Sequence, residues 1–182
     1  MAHAKVVHWY REEVKGTGKW SLKFSVKNGM SLPLNPQDPS DCASASRNLD
    51  FAIGYMARPL FLGLQVPQTV LSTLGSKAPH YSAAELEYIR GTCDFFALDI
   101  YSGTYVTPDH GGIDMCAKNS SNPAFPRCII ALEARDGWNV GTQSNSGTYV
   151  SPFPKFMNPS PAILLFLIIR LPSICPLFSS EG

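Results

Sequence analysis

GTCDFFALDIYSGTY, residues 91–105, is the stretch on which the reading of the fold turns. Phe95–Leu98, Ile100 and Tyr101 form an apolar run broken only by Asp99, entered through Gly91-Thr92 and closed by Ser102-Gly103. A short apolar run bounded by turn formers reads as a strand. A carboxylate buried in such a strand is costly unless something pairs with it. What Asp99 and Tyr101 face at the end of this strand is therefore the first functional question.

Upstream, KWSLKFSV, residues 19–26, alternates with Trp20, Leu22, Phe24 and Val26 on one face, as a strand does. Residues 2–15 carry Val6, Val7, Tyr10 and Val14 at helical spacing, and Gly16 and Gly18 are placed to end that helix as C-cap glycines. SLPLNPQDPSD, residues 31–41, is turn chemistry with three prolines. It leads into a helix over about 40–57, capped by Asp38 or Ser40, with Ala45, Leu49, Ala52, Ile53 and Met56 as its buried stripe. A short helix starts near Pro67, and Ser82 with Glu85 forms a capping box for a helix over 82–90. Residues 102–160 are rich in Gly, Ser, Asn and Pro with little periodicity; so long a structureless stretch is either a functional excursion or a misassignment. Ala162–Ile169 reads as a buried strand, with a buried helix segment as the competing reading. Strands separated by helices give βαβ units and a parallel sheet, an α/β fold. Lys19–Val26 and Phe95–Tyr101 are expected to pair in parallel under the 40–57 helix, with Ala162–Ile169 beside the second.

The 182 residues carry a net charge of +1, with no run of like charges, so the composition gives no reason to expect nucleic acid or an anionic membrane as partner. The longest apolar stretch, Ala162–Ile169, is too short for a membrane-spanning helix, and the N-terminal residues have no continuous apolar core of a signal peptide. Five cysteines are scattered without a C-x-x-C pair.

Four segments in order resemble glycoside hydrolase family 1, the β-glucosidase family, and its fungal members most closely. They are AHAKVVHWYREEVKGTGKWSLKF, PLNPQDPSDCASASRNLDFAIGYMARPLFLG, VPQTVL and YSAAELEYIRGTCDFFALDIYSG. The second carries a signature in Arg47, Phe51, Gly54, Pro59, Leu60, Phe61 and Gly63. A looser likeness continues through DHGGIDMCAKNSSNPAFPRC and DGWNVGTQSNSGTYVSP. The resemblance implies part of a (β/α)8 TIM barrel, about strands five to seven with their helices, whose active site lies at the carboxyl ends of the strands. It divides the chain into a central barrel segment over 1–105 (end of helix four to strand six), a loop excursion over 106–160, and a strand-seven remnant with a divergent tail over 161–182. Tyr101 matches the family tyrosine that hydrogen-bonds the nucleophilic carboxylate. Asp99 stands where many members have an asparagine near the sugar, which would let it face a polar pocket.

The implied chemistry is retaining hydrolysis of β-glucosides or β-linked oligosaccharides, with no metal or cofactor. It needs two carboxyl groups about 5 Å apart. The family places one in an N-E-P motif and the other in an E-N-G or E-F-G motif at the end of strand seven. No N-E-P occurs in this sequence, and PSPAILLFLIIRL, which resembles the start of strand seven, has Leu167 where the nucleophile is expected; the next glutamate is Glu181. The reading is therefore a β-glucosidase-type hydrolase represented by a chain truncated at both ends, with neither catalytic glutamate and no activity of its own. Its rivals are a non-catalytic protein that binds sugar or a partner, and a gene-model product that does not fold alone.

Asp109, His110, Asp114 and Cys116 cluster in sequence but match no standard metal-ligand spacing, and a loop of turn formers explains them. His3 and His8 read as surface or packing residues, Trp20 and Trp138 as core or loop packing, and Cys93 as an inert buried thiol. Cys116 and Cys128 flank a loop that holds the glycosylation sequon Asn119-Ser120-Ser121, and are expected to form a disulfide in an oxidising compartment. Sequon and cysteine pair together fit a secreted ancestor.

Overall fold

The computed structural model describes residues 1–25, 31–99, 103–143 and 149–150. The chain divides into two compact units, one of Met1–Ser25 with Ile53–Asp99 and one of Val26–Ala52 with Ile100–Gly182. In chain order the elements are α1 (Ala2–Glu12), β1 (Lys23–Ser25), β2 (Ser31–Pro33), α2 (Pro39–Leu49), α3 (Tyr55–Ala57), α4 (Gln68–Leu74), α5 (Ala83–Ile89), β3 (Ala97–Asp99), β4 (Thr104–Pro108), α6 (Gly112–Ala117), β5 (Ile129–Leu132), β6 (Ala134–Arg135) and β7 (Trp138–Asn139). Wider π turns occupy Asp50–Gly54 and Arg58–Leu62.

In the first unit β1 and β3 pair in parallel, with Lys23 opposite Ala97, Phe24 opposite Leu98 and Ser25 opposite Asp99. This is the pairing expected of 19–26 and 95–101, confined to three residues on each side; Phe95 lies before the strand and is 49% exposed. The register is set just ahead of the strands. The Asp94 carboxylate accepts from the Trp20 backbone N–H at 2.7 Å, and the Asp94 N–H donates to the Trp20 carbonyl at 2.7 Å. Ser21 Oγ donates to the Phe95 carbonyl at 2.5 Å. Phe24, fully buried, then stacks on Phe96 at 5.1 Å, and Phe61 closes on Phe96 at 5.4 Å. Aromatic pairs at such separations stabilise beyond the area they bury.

Helix α1 buries a face different from the expected one. Ala4 and Val7 are inside, whereas Val6 and Val14 are exposed. Beside Ala4 and Val7 this face carries polar side chains, because it meets the C-terminal end of α5, where carbonyls lack intrahelical partners. His3 Nε2 donates to the Thr92 carbonyl and His8 Nε2 to the Tyr88 carbonyl, each at 2.8 Å, and Arg11 donates to the Gly91 carbonyl at 3.1 Å. The His8 ring also stacks on Tyr88 at 4.3 Å.

The end of α1 also departs from expectation. Lys15, not a glycine, takes the left-handed conformation, with φ of 56°. Gly16 serves close approach instead: the Tyr10 ring lies over it, and a Cβ there would sit 2.0 Å from the ring. Tyr10 Oη in turn accepts from the Gly18 N–H at 2.9 Å. Helix α5 has the full capping box, with Glu85 N donating to Ser82 Oγ at 3.3 Å and Ser82 N donating to the Glu85 carboxylate at 2.8 Å.

In the second unit β2 runs parallel to β4, with Ser31 opposite Thr104 and Pro33 opposite Val106, and β5 adds antiparallel to β4. Helix α2 lies over the β2–β4 pair. It starts at Pro39, capped by the Asp38 carboxylate accepting from the Ser40 N–H at 2.8 Å. The stretch expected to be structureless, 102–160, holds β4, α6 and β5, and then two short hairpins formed by Ala134–Asn139 and by Thr142–Gln143 with Tyr149–Val150. Periodicity missed β4 and β5 because they are only five and four residues long. Among the described residues no barrel closes, and no helix is long and apolar enough to cross a membrane. The expected strand at Ala162–Ile169 lies outside the described residues.

The Asp94 carboxyl is held below the usual carboxylate range, first by the Trp20 N–H and further by Arg11, whose Nη2 lies 2.9 Å away. A carboxyl whose folded pKa is depressed stabilises above its unfolded value, about 3.9, and that contribution is lost as pH falls through the lower folded value. Urea midpoints followed by far-UV circular dichroism should therefore drop more steeply on acidification for the wild-type chain than for Asp94→Asn. Parallel slopes would refute this role for Asp94.

Candidate functional site

The two residues expected at the sugar pocket fall at the edge of what is described. Asp99 is the last residue of β3, opposite Ser25 in register. Tyr101 lies outside the described residues, as do Leu167 and Glu181.

The best-defined polar constellation sits in the second unit, on the inner face of α2. Four polar residues of this helix are buried: Asp41, Ser44, Arg47 and Asn48. A buried polar group must be hydrogen-bonded to be tolerated. Asp41 Oδ2 accepts from the Asn35 N–H at 2.7 Å and Oδ1 accepts from the Thr107 hydroxyl at 2.6 Å, so this carboxylate ties the turn before α2 to strand β4. Ser44 donates back to the Ser40 carbonyl at 2.9 Å. Asn48 donates through Nδ2 to the Ser31 hydroxyl and accepts from Arg127 Nη1 at 3.1 Å.

Arg47 reaches across to the segment before β5. Its Nε donates to the Arg127 carbonyl and its Nη2 to the Pro126 carbonyl, both at 2.7 Å. The guanidinium also lies over the Phe51 ring, 5.2 Å from its centre, a cation–π contact. Burial pulls the Arg47 pKa down, while the charges of Asp50 and Asp114 oppose that shift. The planar fork of arginine holds two adjacent carbonyls at once, which a lysine cannot do.

The segment held this way is also closed covalently. Cys116 and Cys128 form a disulfide with Cα atoms 5.6 Å apart, within the range a bridge requires. Inside the loop Asn122 Nδ2 donates to the Asp109 carboxylate at 2.8 Å, and Asn122 Oδ1 accepts from the Ala124 N–H at 2.8 Å. Beside it lies a cleft of about 280 Å³ bordered by Asn48, Thr104, Phe125, Arg127, Ile129 and Ala131. Its lining combines an arginine and an asparagine with apolar side chains, the mixed composition of a small-molecule site. Asn48, however, already uses both ends of its amide within the protein.

Several residues singled out in the sequence have structural roles. Asp109 holds Asn122 and Cys116 is in the disulfide, and among the described residues no three potential metal ligands gather. Cys93 is a buried free thiol 3.4 Å from His3 Nε2, and burial pushes its pKa up. Trp20 packs edge-on against Tyr10 at 5.1 Å. Trp138 does not pack as expected: it is 80% exposed, because a hairpin with two-residue strands gives it nothing to lie against. The polar face of α2 was legible only in part. Arg47 stands in the signature, but the roles of Asp41 and Asn48 could not be read locally, since Thr107 and Arg127, which they bind, lie 66 and 79 residues away.

The glycosyl hydrolase family 1 profile matches residues 1–135. Ipecoside β-D-glucosidase of Carapichea ipecacuanha is 27% identical over 160 residues, 87% of this chain and 27% of that protein. β-Glucosidase 3 of Oryza sativa subsp. japonica is 33% identical over 107 residues, 59% of this chain and 21% of that protein. Among solved structures, a β-glucosidase of the fungus Humicola insolens in complex with glucose superposes with a TM-score of 0.67 at 26% identity, covering 83% of this chain and 30% of its own. The fold is thus a portion of a (β/α)8 barrel, and the chain spans roughly a fifth to a quarter of the length of these two curated relatives.

Replacing Arg47 with Met keeps most of the side-chain volume but leaves the Pro126 and Arg127 carbonyls without their charged donor. Hydrogen bonds to charged groups contribute about 1.5–3 kcal/mol each, so losing these two in Arg47→Met should cost about 3–6 kcal/mol in urea unfolding. Amide exchange should rise selectively across 123–128. Unchanged exchange in that segment would show that Arg47 does not hold it.

Proposed function

The chain belongs to glycosyl hydrolase family 1, and on that premise we propose that it is the central barrel portion of a β-glucosidase-type hydrolase which by itself cleaves no glycosidic bond. One observation carries this reading. The family match runs through residues 1–135, yet the sequence holds neither of the glutamate motifs on which the family's chemistry rests.

Retaining hydrolysis proceeds by attack of one carboxylate on the anomeric carbon while a second carboxyl, about 5 Å away, protonates the leaving oxygen. This scheme needs no metal or cofactor. The carboxylates of this chain that have been placed above are engaged otherwise. Asp41 joins the turn before α2 to β4, Asp94 sets the β1–β3 register, Glu85 caps α5 and Asp109 anchors Asn122. Tyr101 and Asp99 are the candidates for touching the sugar. A tyrosine can orient a carboxylate nucleophile but is a poor replacement for one, because its phenol is protonated at neutral pH. The substrate class of the whole protein is a β-linked glucoside. The absence of both glutamates also favours a second reading, a non-catalytic module that binds glucose or a short β-glucan.

The test is an assay of the purified chain with a chromogenic aryl β-glucoside at mildly acidic to neutral pH, alongside Tyr101→Phe. No turnover above background is expected from either. Turnover that follows the protein through purification and falls in Tyr101→Phe would overturn the proposal. Saturable binding of glucose or cellobiose in calorimetry, without turnover, would favour the second reading.

A further inference from the structure

We propose that Asn119 is the site of an N-linked glycan, presented by a turn that the disulfide and the neighbouring hydrogen bonds hold in acceptor form. The inference is independent of whether the chain hydrolyses anything. The motif Asn119-Ser120-Ser121 meets the acceptor rule, and no other asparagine in the 182 residues does, since Asn158, the nearest approach, is followed by Pro159.

The motif alone is common, and geometry separates this site from chance. Asn119 follows directly on α6 and its C-cap residue Lys118, and residues 118–121 are all exposed. Its backbone N–H donates to the Cys116 carbonyl at 2.9 Å, and its own carbonyl accepts from the Asn122 N–H at 3.0 Å, which makes 119–122 a tight turn. Within this turn the side-chain Oδ1 accepts from the Ser121 N–H at 3.1 Å. That bond folds the carboxamide toward the +2 residue, the one the acceptor rule specifies. Nδ2 makes no hydrogen bond among the described residues, so the nucleophilic nitrogen is available.

Asn122, three residues on, gives the contrast. Its amide is used twice, toward Asp109 and Ala124, and Pro123 follows it. Cys116 and Cys128 close the loop around both asparagines, so the loop that carries the acceptor turn is tied at its base. The oxidising lumen that makes the bridge is also where a lipid-diphosphate-linked oligosaccharide is available as donor. In the transfer the Asn119 Nδ2–C1 bond forms and the C1–O bond to the diphosphate breaks. The lipid diphosphate leaves, and one amide proton passes to the transferase's base. The proposal thus includes passage of this chain through a secretory lumen.

The full chain, directed to the endoplasmic reticulum of a yeast host by a cleavable leader, tests the idea. Trypsin cuts after Lys118 and Arg127, which isolates 119–127 as a peptide carrying the acceptor and no cysteine. The expected result is one glycan on that peptide, with peptides 91–118 and 128–135 joined by the disulfide in the unreduced digest. Asn119→Gln and Ser121→Ala should each abolish the glycan, and Ser121→Thr should keep it. An amidase should also release it from the native protein, converting the linked asparagine to aspartate. A leader-cleaved wild-type chain without glycan would overturn the proposal. So would a glycan that persists in Asn119→Gln, or one that the amidase releases only after denaturation.

Discussion

Two strands running in the same direction cannot be joined by a tight turn, because the chain must first travel back past the sheet. Both parallel pairs in this molecule, β1 with β3 and β2 with β4, live under that constraint, and much of the remaining structure answers it. Partners so far apart in sequence need something to fix where pairing starts. In the first unit Asp94 does this, with its carboxylate and its backbone N–H both bonded to Trp20 ahead of the strands. In the second, Asp41 binds strand β4 from one end of α2 and Asn48 holds Ser31 of β2 from further along the helix.

Polar groups therefore carry positions that a simple amphipathic scheme gives to aliphatic side chains. Helix α1 meets the end of α5 through His3, His8 and Arg11, each donating to a carbonyl beyond or near the last helical turn. Helix α2 faces its sheet with Asp41, Ser44 and Asn48 among its buried residues. Burying such groups is unfavourable until each finds a partner. Once satisfied, they admit only the arrangement that satisfies them, and they fix register more narrowly than interchangeable aliphatic contacts would.

The same property explains what could be read beforehand. Local features were legible: the capping box of Ser82 and Glu85, the Asp38 cap and the start of α4 after Pro67 are each encoded within a few residues, and the direction of the β1–β3 pair follows from the order of strands and helices. Features that depend on distant partners were not. The buried face of α1 follows from the carbonyls of α5 and cannot be seen in the spacing of Val6, Val7, Tyr10 and Val14. Gly16 looked like a helix stop, yet the Tyr10 ring above it is what requires a glycine there. Strands β4 and β5 are short and rest on each other, so neither shows a periodicity of its own. At the candidate sugar site the family motif gave Tyr101 and Asp99, of which Asp99 lies among the described residues as the last residue of the parallel strand β3.

The uneven placement of the indoles has a spectroscopic consequence. Of the three tryptophans, Trp138 is 80% exposed and Trp9 59% exposed, and among the described residues only Trp20 is packed against another ring. Most of the intrinsic emission of the native protein then comes from water-solvated indoles, whose spectrum already resembles that of an unfolded chain. Trp20 contributes the part that reports on structure, and it sits beside the Asp94 backbone pair that sets the β1–β3 register. Emission from this molecule would thus follow the opening of that one junction far more closely than the loss of the fold elsewhere.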